Sequence, residues 1–176
     1  MKLFSKKTLL FFKKEITSNN FIDDSFTQIL FLNYKNFIET EFYKNEYKLE
    51  YQNRFDRDDK CVALFKDNQI VNISWLCFSD LFIDEIKIKY KVPVNSFVIY
   101  DVYTLPIYRN RGFYKLMLNH LNIWGKENNF RYSYIYSELE NSISIRAIIN
   151  CGYKKIEKIT LYEFLRMKFY LTKKYD

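Results

Sequence analysis

The chain has 176 residues, 48% hydrophobic and 28% charged, a balance ordinary for one globular domain that buries its own core. Its formal charge of +7 is uneven: residues 1–60 carry 11 Lys or Arg against 10 Asp or Glu, +1, and residues 61–176 carry 17 against 11, +6. A basic half suits nucleic acid, an acidic membrane surface or a small ligand with several phosphates, and the lack of any long basic run disfavours the first two.

From the N-terminus, Lys2, Lys6 and Lys7 precede the apolar run "LLFF" at 9–12. That run is far short of the roughly 20 residues a membrane-spanning helix requires. Lys13, Lys14 and Glu15 close it and no small-residue cleavage site follows, so neither a span nor a signal peptide is expected. From Asn20 to about Tyr47, Phe, Ile and Leu return every three or four residues, which predicts one helix or two short ones. "CVALF" and "IVNISWLCF" flank the polar "KDNQ" and predict a hairpin across a four-residue turn. Residues 79–95 are less regular and partly polar; "SFVIYDVYT" then predicts a strand. A helix is expected over about 111–128, with Phe113, Leu116, Met117, His120, Leu121 and Trp124 on one stripe. A strand at "RYSYIYS", a short helix over 142–150 and two closing strands near 153–157 and 161–169 complete the order. The class is α+β with one parallel crossover.

Cys61, Cys77 and Cys151 are odd in number and lack metal-ligand spacing, and the one histidine, His120, does not complete a zinc site with them. A reduced, cytoplasmic protein without structural metal is expected. His120 reads as a packing residue, and Cys151 lacks a suitably placed base to make it a nucleophile.

The stretch "DVYTLPIYRNRGFYKL" at 101–116 carries the functional signal. Pro106 ends a strand because it removes a ladder donor, and the chain then enters a helix whose first N–H groups have no partner within it. Those donors and the positive end of the helix dipole make an anion site, which Gly112 lets a ligand approach without a Cβ in the way. Arg109 and Arg111 add charge-assisted contacts to phosphate oxygens. A pyrophosphate group fits; the plainer alternative is a solvated turn.

"TLPIYRNRGFYKLML" resembles the signature of the GNAT family of acyl-CoA-dependent N-acyltransferases, a strand, Pro, Arg/Gln-x-x-Gly-x-Gly/Ala and a helix. About 45 residues beyond Pro106, "ENSISIRAIINCGYKKI" is similar to the same family's second signature. The resemblance covers residues 61–165 as a core, with residues 1–60 a variable helical region, the acceptor side, of one domain over 1–176. It implies a mixed, mostly antiparallel sheet flanked by helices, with a V-shaped splay between two central parallel strands. It further implies that Arg109, Asn110, Arg111, Gly112, Phe113 and Tyr114 wrap the pyrophosphate of acetyl-CoA. Val102, Tyr103 and Thr104 would bond the pantetheine arm through backbone groups, with Asn141 and Ser144 on its other side. The implied activity is direct transfer of an acetyl group to a primary amine of a small metabolite, with an amino-sugar nucleotide as a candidate. A monomer or homodimer without a nucleic-acid partner is expected.

Two positions depart from the family pattern. Tyr114 stands where a second small residue is usual, and Ile148 stands where a tyrosine often protonates the departing thiolate. Transfer to an amine needs a neutral amine, an oxyanion donor and a proton for sulfur. The splayed strand's backbone N–H supplies the donor. Asp101 is the first candidate base, followed by Glu138, with Glu140 nearby. Tyr136 and Tyr103 are candidate acids, although solvent can serve a thiolate. Tyr132, Tyr134 and Tyr136 alternate and share one face, expected against a helix. The departures also admit a catalytically degenerate acyl-CoA-binding protein; a basic nucleic-acid-binding module is the third reading.

Overall fold

The computed structural model describes residues 4–17, 27–165 and 167–175. In chain order the elements are β1 Phe4–Glu15, β2 Thr27–Leu32, α1 Tyr34–Ile38, a 3-10 turn at Asn45–Tyr47, α2 Lys48–Asp56, β3 Lys60–Lys66, β4 Gln69–Cys77, β5 Asp80–Ile83 and β6 Ile88–Lys91. They continue with β7 Ser96–Thr104, a 3-10 turn at Pro106–Tyr108, α3 Phe113–Glu127, β8 Tyr132–Glu138, α4 Ser142–Asn150, β9 Lys154–Phe164 and β10 Met167–Lys174. Eight strands form one sheet in the order β10-β9-β1-β8-β7-β4-β3-β2, and β5-β6 form a separate hairpin.

The N-terminal region departs from the helical expectation. The run at 9–12 is the middle of β1, which lies antiparallel between β8 and β9. Leu9, Leu10, Phe11 and Phe12 are all buried, because a central strand presents both faces to the core and so reads as an unbroken apolar run. Within the stretch expected to be helical, residues 27–32 form β2, and only 34–38 and 45–47 are helical. Its first part, 20–26, lies outside the described residues. The polar "NRFD" instead ends α2.

The predicted hairpin is β3–β4, but its turn is two residues long: Lys66 pairs with Gln69. Asp67 and Asn68 take φ of 50° and 62°, the left-handed pair that matches a two-residue turn to strand twist. The irregular stretch contains the β5–β6 hairpin. At the C-terminus β9 starts at Lys154 and runs unbroken to Phe164, and the last strand begins only at Met167, later than the sequence pattern implied.

The sheet carries a core on each face. One side packs α3 and α4 through Phe113, Met117, Leu121 and Ile148 against Leu10, Phe97 and Ile135. The opposite side packs α1, α2 and the β5–β6 hairpin through Phe37, Ile83 and Ile86 around Trp75, Phe11 and Val98. Tyr132, Tyr134 and Tyr136 belong to this second face, so they meet β1 and the hairpin rather than a helix; the rings of Phe11 and Tyr136 lie 5.7 Å apart. The helix side of β8 is Ser133 and Ile135, and Ser133 Oγ donates to Asn122 Oδ1 of α3 at 2.7 Å.

The parallel pair is β7 and β8. Their register runs from Ser96↔Tyr132 to Ile99↔Ile135 and stops, although β7 continues to Thr104 and β8 to Glu138. The sheet therefore opens between them at the C-terminal ends, where the expected V-shaped splay stands.

Candidate functional site

A kink in β7 sets the site. The β4–β7 register shifts between Ile73↔Tyr103 and Trp75↔Tyr100, and Asp101 takes φ 46°, a left-handed conformation that is costly without glycine and recurs at functional positions. The bulge gives one strand an extra residue, so Tyr100 and Asp101 both serve the α2 side while Val102 packs with the α3 side.

On the α3 side lies a cleft of about 590 Å³. Val102, Tyr103 and Thr104 form its strand wall, Arg109, Asn110 and Gly112 its loop, Phe113 and Tyr114 the start of α3, and Asn141 and Ser144 the start of α4. The structure thus gathers ten of the eleven expected cofactor-side residues around one space. Arg111 is the exception: its guanidinium lies 5.7 Å from the Tyr108 ring centre, and it is not part of the lining. Tyr108, Lys115, Ile143 and Ala147 also line the cleft and were not singled out from sequence. Lys115 was legible as a cation in the first helical turn.

Local geometry fits an anion. Gly112, at φ 81°, is the N-cap of α3 and supplies no capping side chain, and a Cβ there would meet nothing within 4 Å. The first helical hydrogen bond runs from Leu116 N–H to Gly112 O, so the preceding N–H groups face the loop mouth. Arg109 is braced, its Nε donating to Thr104 O at 3.2 Å and its guanidinium 5.4 Å from the Tyr103 ring centre. Asn141 caps α4 by accepting from Ser144 N–H at 3.1 Å. Tyr114 lies down between α3 and α4 with its phenol beside Ser144, and burial raises it above its ordinary value. Below the strand end, Asn72 donates to Thr104 Oγ1 at 2.7 Å, while Asn72 Oδ1 and Ser74 Oγ are buried without a partner among the described residues.

On the opposite side of the splay the chemistry is acidic. Arg54 of α2, 8% exposed, bridges Glu50 and Asp101, with Nη2 2.5 Å from Asp101 Oδ2. Its guanidinium sits 5.0 Å from the ring centres of both Trp75 and Tyr100. Behind it, buried Asp59 accepts from Arg57 at 2.5 Å and from the Tyr100 hydroxyl. Glu138 pairs with Lys7 of β1 at 3.1 Å. Burial, with lesser contributions from Glu85 and Asp101, holds the Tyr136 phenol well above its ordinary value. Tyr103 points to this side too, edge-on to Phe42 with ring centres 6.0 Å apart. Arg54, Lys7 and Glu85 were missed because nothing local marks them; distant pairings bring them here.

The remaining candidates have structural surroundings. Ile148 is fully buried in the core under α4. The Cys151 thiol is buried and pushed up by desolvation, the reverse of an activated nucleophile. His120 Nε2 lies 3.3 Å from Thr27 Oγ1. Among the described residues no group of three or more His, Cys, Asp or Glu is placed to hold a metal ion, and no helix is long and apolar enough to cross a membrane.

A mixed sheet that opens between two parallel strands, with a helix N-terminus beside the opening, is the architecture of acyl-CoA acetyltransferases. The chain belongs to the acetyltransferase (GNAT) family, whose model matches residues 24–153. Solved structures agree at the level of fold. A functionally unknown conserved protein from Staphylococcus epidermidis is 11% identical with a TM-score of 0.58, over 98% of this chain and 64% of that one. A GNAT-family acetyltransferase from Novosphingobium aromaticivorans is 14% identical with a TM-score of 0.57, over 99% and 69%. The glucosamine N-acetyltransferase region of a fungal multi-domain GH3 β-N-acetylglucosaminidase is 13% identical with a TM-score of 0.63, over 89% of this chain and 21% of that one. The chain thus spans 64% of the first of these structures and about a fifth of the last. No curated protein matches its sequence.

Proposed function

We propose that the protein is an N-acetyltransferase that moves the acetyl group of acetyl-CoA directly to a primary amine of a small metabolite. The observation that carries this reading is the two-sidedness of the splay: an anion-ready cleft opens on the α3 face, and the carboxylates of Asp101 and Glu138 stand toward the ends of the same two parallel strands. Acetyl-CoA is a co-substrate here. Its pyrophosphate would take the N–H groups at the start of α3, with Arg109 and Lys115 as counter-charges. Its pantetheine arm would run along Val102–Thr104, the strand wall of the cleft. Asn141 and Ser144 close the other wall.

The amine would enter from the α2 side, where Asp101 and Glu138 favour a cationic acceptor and residues from 1–60 form an edge. Attack of the neutral amine on the thioester carbonyl forms the C–N bond, and backbone N–H at the splay holds the oxyanion. Collapse breaks the C–S bond and releases thiolate. That thiolate takes its proton from solvent, since Ile148 offers none and burial weakens the Tyr136 phenol as an acid. An amino-sugar nucleotide remains a candidate acceptor, and the cytoplasm the proposed setting.

Titration calorimetry tests the cofactor half. Acetyl-CoA should bind and raise the thermal midpoint by selecting the native state. Arg109→Ala should weaken binding more than Arg111→Ala, because only Arg109 lines the cleft. Absence of binding at millimolar acetyl-CoA would refute the pyrophosphate reading.

A further inference from the structure

We propose that Glu85, carried into the acceptor recess by the turn between β5 and β6, is the general base that takes the proton from the acceptor's ammonium group. The proposal rests on the acetyltransferase reading above and assigns the one step that reading leaves without an owner.

Glu85, in the turn between β5 and β6, lies near enough to Asp101 of β7 and Glu138 of β8 to feel both charges, so three carboxylates from three elements share one neighbourhood. Asp101 of β7 is held by Arg54 at 2.5 Å, and Glu138 of β8 by Lys7 at 3.1 Å. Among the described residues Glu85 makes no ion pair. It is nonetheless fixed in place. Ile83 and Ile86, on either side of Asp84–Glu85, are fully buried, and Asp84 is drawn to Lys87 at 3.0 Å. The turn is therefore nailed to the sheet by two apolar anchors, with Glu85 half-buried between them.

The three groups divide the work. Asp101 and Glu138 each already hold a cation. Glu85 has the opposite character. Burial raises its carboxyl above the ordinary 4.5, and the negative charges of Asp101, Glu138 and Asp84 push the same way. Lys7 and the Tyr136 phenol are the other titratable groups facing it. A base works best when its own affinity for protons approaches the operating pH, and this setting moves Glu85 in that direction. The step balances: the ammonium gives one proton to Glu85, directly or through one water, leaving a neutral amine and a carboxylic acid. The amine attacks the thioester, CoA leaves as thiolate, the second amine proton goes to solvent or to sulfur, and Glu85 returns its proton to solvent. The net products are the amide, CoA thiol and one proton.

The test uses E85Q and E85D in the full chain, with glucosamine, spermidine and tryptamine as probe amines and release of CoA thiol as the assay. E85Q should lower kcat/KM for the amine by about 100-fold or more, leave the acetyl-CoA Kd within about twofold, and lack the ascending limb expected of wild type above the ordinary carboxylate value; E85D should restore part of that limb. A second readout needs no turnover. A carboxyl raised in the folded state costs stability once pH exceeds its unfolded value. E85Q should therefore have a higher thermal midpoint than wild type at pH 7, and the gap should close below the ordinary value of 4.5. An active wild type with an unchanged E85Q profile would overturn the base assignment alone. Inactivity of wild type toward all three amines would overturn the acetyltransferase reading as tested, and Glu85 as its base with it. An E85Q midpoint equal to or below that of wild type at pH 7 would remove the electrostatic ground for the choice.

Discussion

Replacing Arg54 by alanine perturbs both the packing and the site, and its cost can be built from the contacts. Breaking a buried ion pair by removing one partner costs about 3–5 kcal/mol when the other charge stays buried. The Asp101 side chain is 48% exposed and regains water, so the cost falls below that range, to about 1–2 kcal/mol. The guanidinium also lies 5.0 Å from both Trp75 and Tyr100, each contact worth about 0.5–1 kcal/mol. The sum is about 2–4 kcal/mol, which for a chain of this size lowers the thermal midpoint by roughly 5–15 °C. Arg54→Lys keeps the charge and loses the planar stacking and the bridge to two carboxylates, so it should fall about halfway. Scanning calorimetry of R54A, D101N and the double variant is the assay. The double variant should be less destabilised than the sum of the singles, because the pair is lost only once. A midpoint change under about 2 °C for R54A, or strict additivity, would refute the account of Arg54 as the clamp that fixes α2 to the β7 bulge.

Two further outcomes follow from packing and burial. Gly125→Ala should destabilise, since a Cβ there would come within 2.7 Å of Phe97 and 2.9 Å of Ile16; overpacking costs about 1–3 kcal/mol and outweighs a helix-propensity gain of about 1 kcal/mol, to be checked by denaturant melts. Cys61, pushed up to about 12 by burial, and the raised Cys77 and Cys151 should all resist an aromatic disulfide reagent at neutral pH in the native protein and react on unfolding, as read by absorbance.

What the sequence determined by itself was the local chemistry. Pro106, Arg109, Gly112 and the apolar stripe of α3 sit within about twenty residues, and the features that make an anion site at a helix N-terminus are short-range and backbone-encoded. The short helix over 142–150 was legible in the same way, whereas Asn141 and Ser144 were singled out through the family resemblance. The β3–β4 hairpin followed from two apolar runs flanking a polar stretch, but its two-residue turn at Asp67–Asn68 did not. Tertiary structure decided everything that depends on which strands become neighbours. Residues 9–12 read equally as helix or strand until β1 is seen between β8 and β9, because a run of four apolar residues has no period. Glu85 and Arg54 belong to the recess only because the β5–β6 hairpin and α2 fold onto one face of the sheet, 16 and 47 residues from Asp101 in sequence. Which of three carboxylates keeps a free charge likewise depends on Lys7 and Arg54, cations that reach them across the fold. Electrostatics at a site is a sum over distance in space, and the sequence alone does not contain those distances.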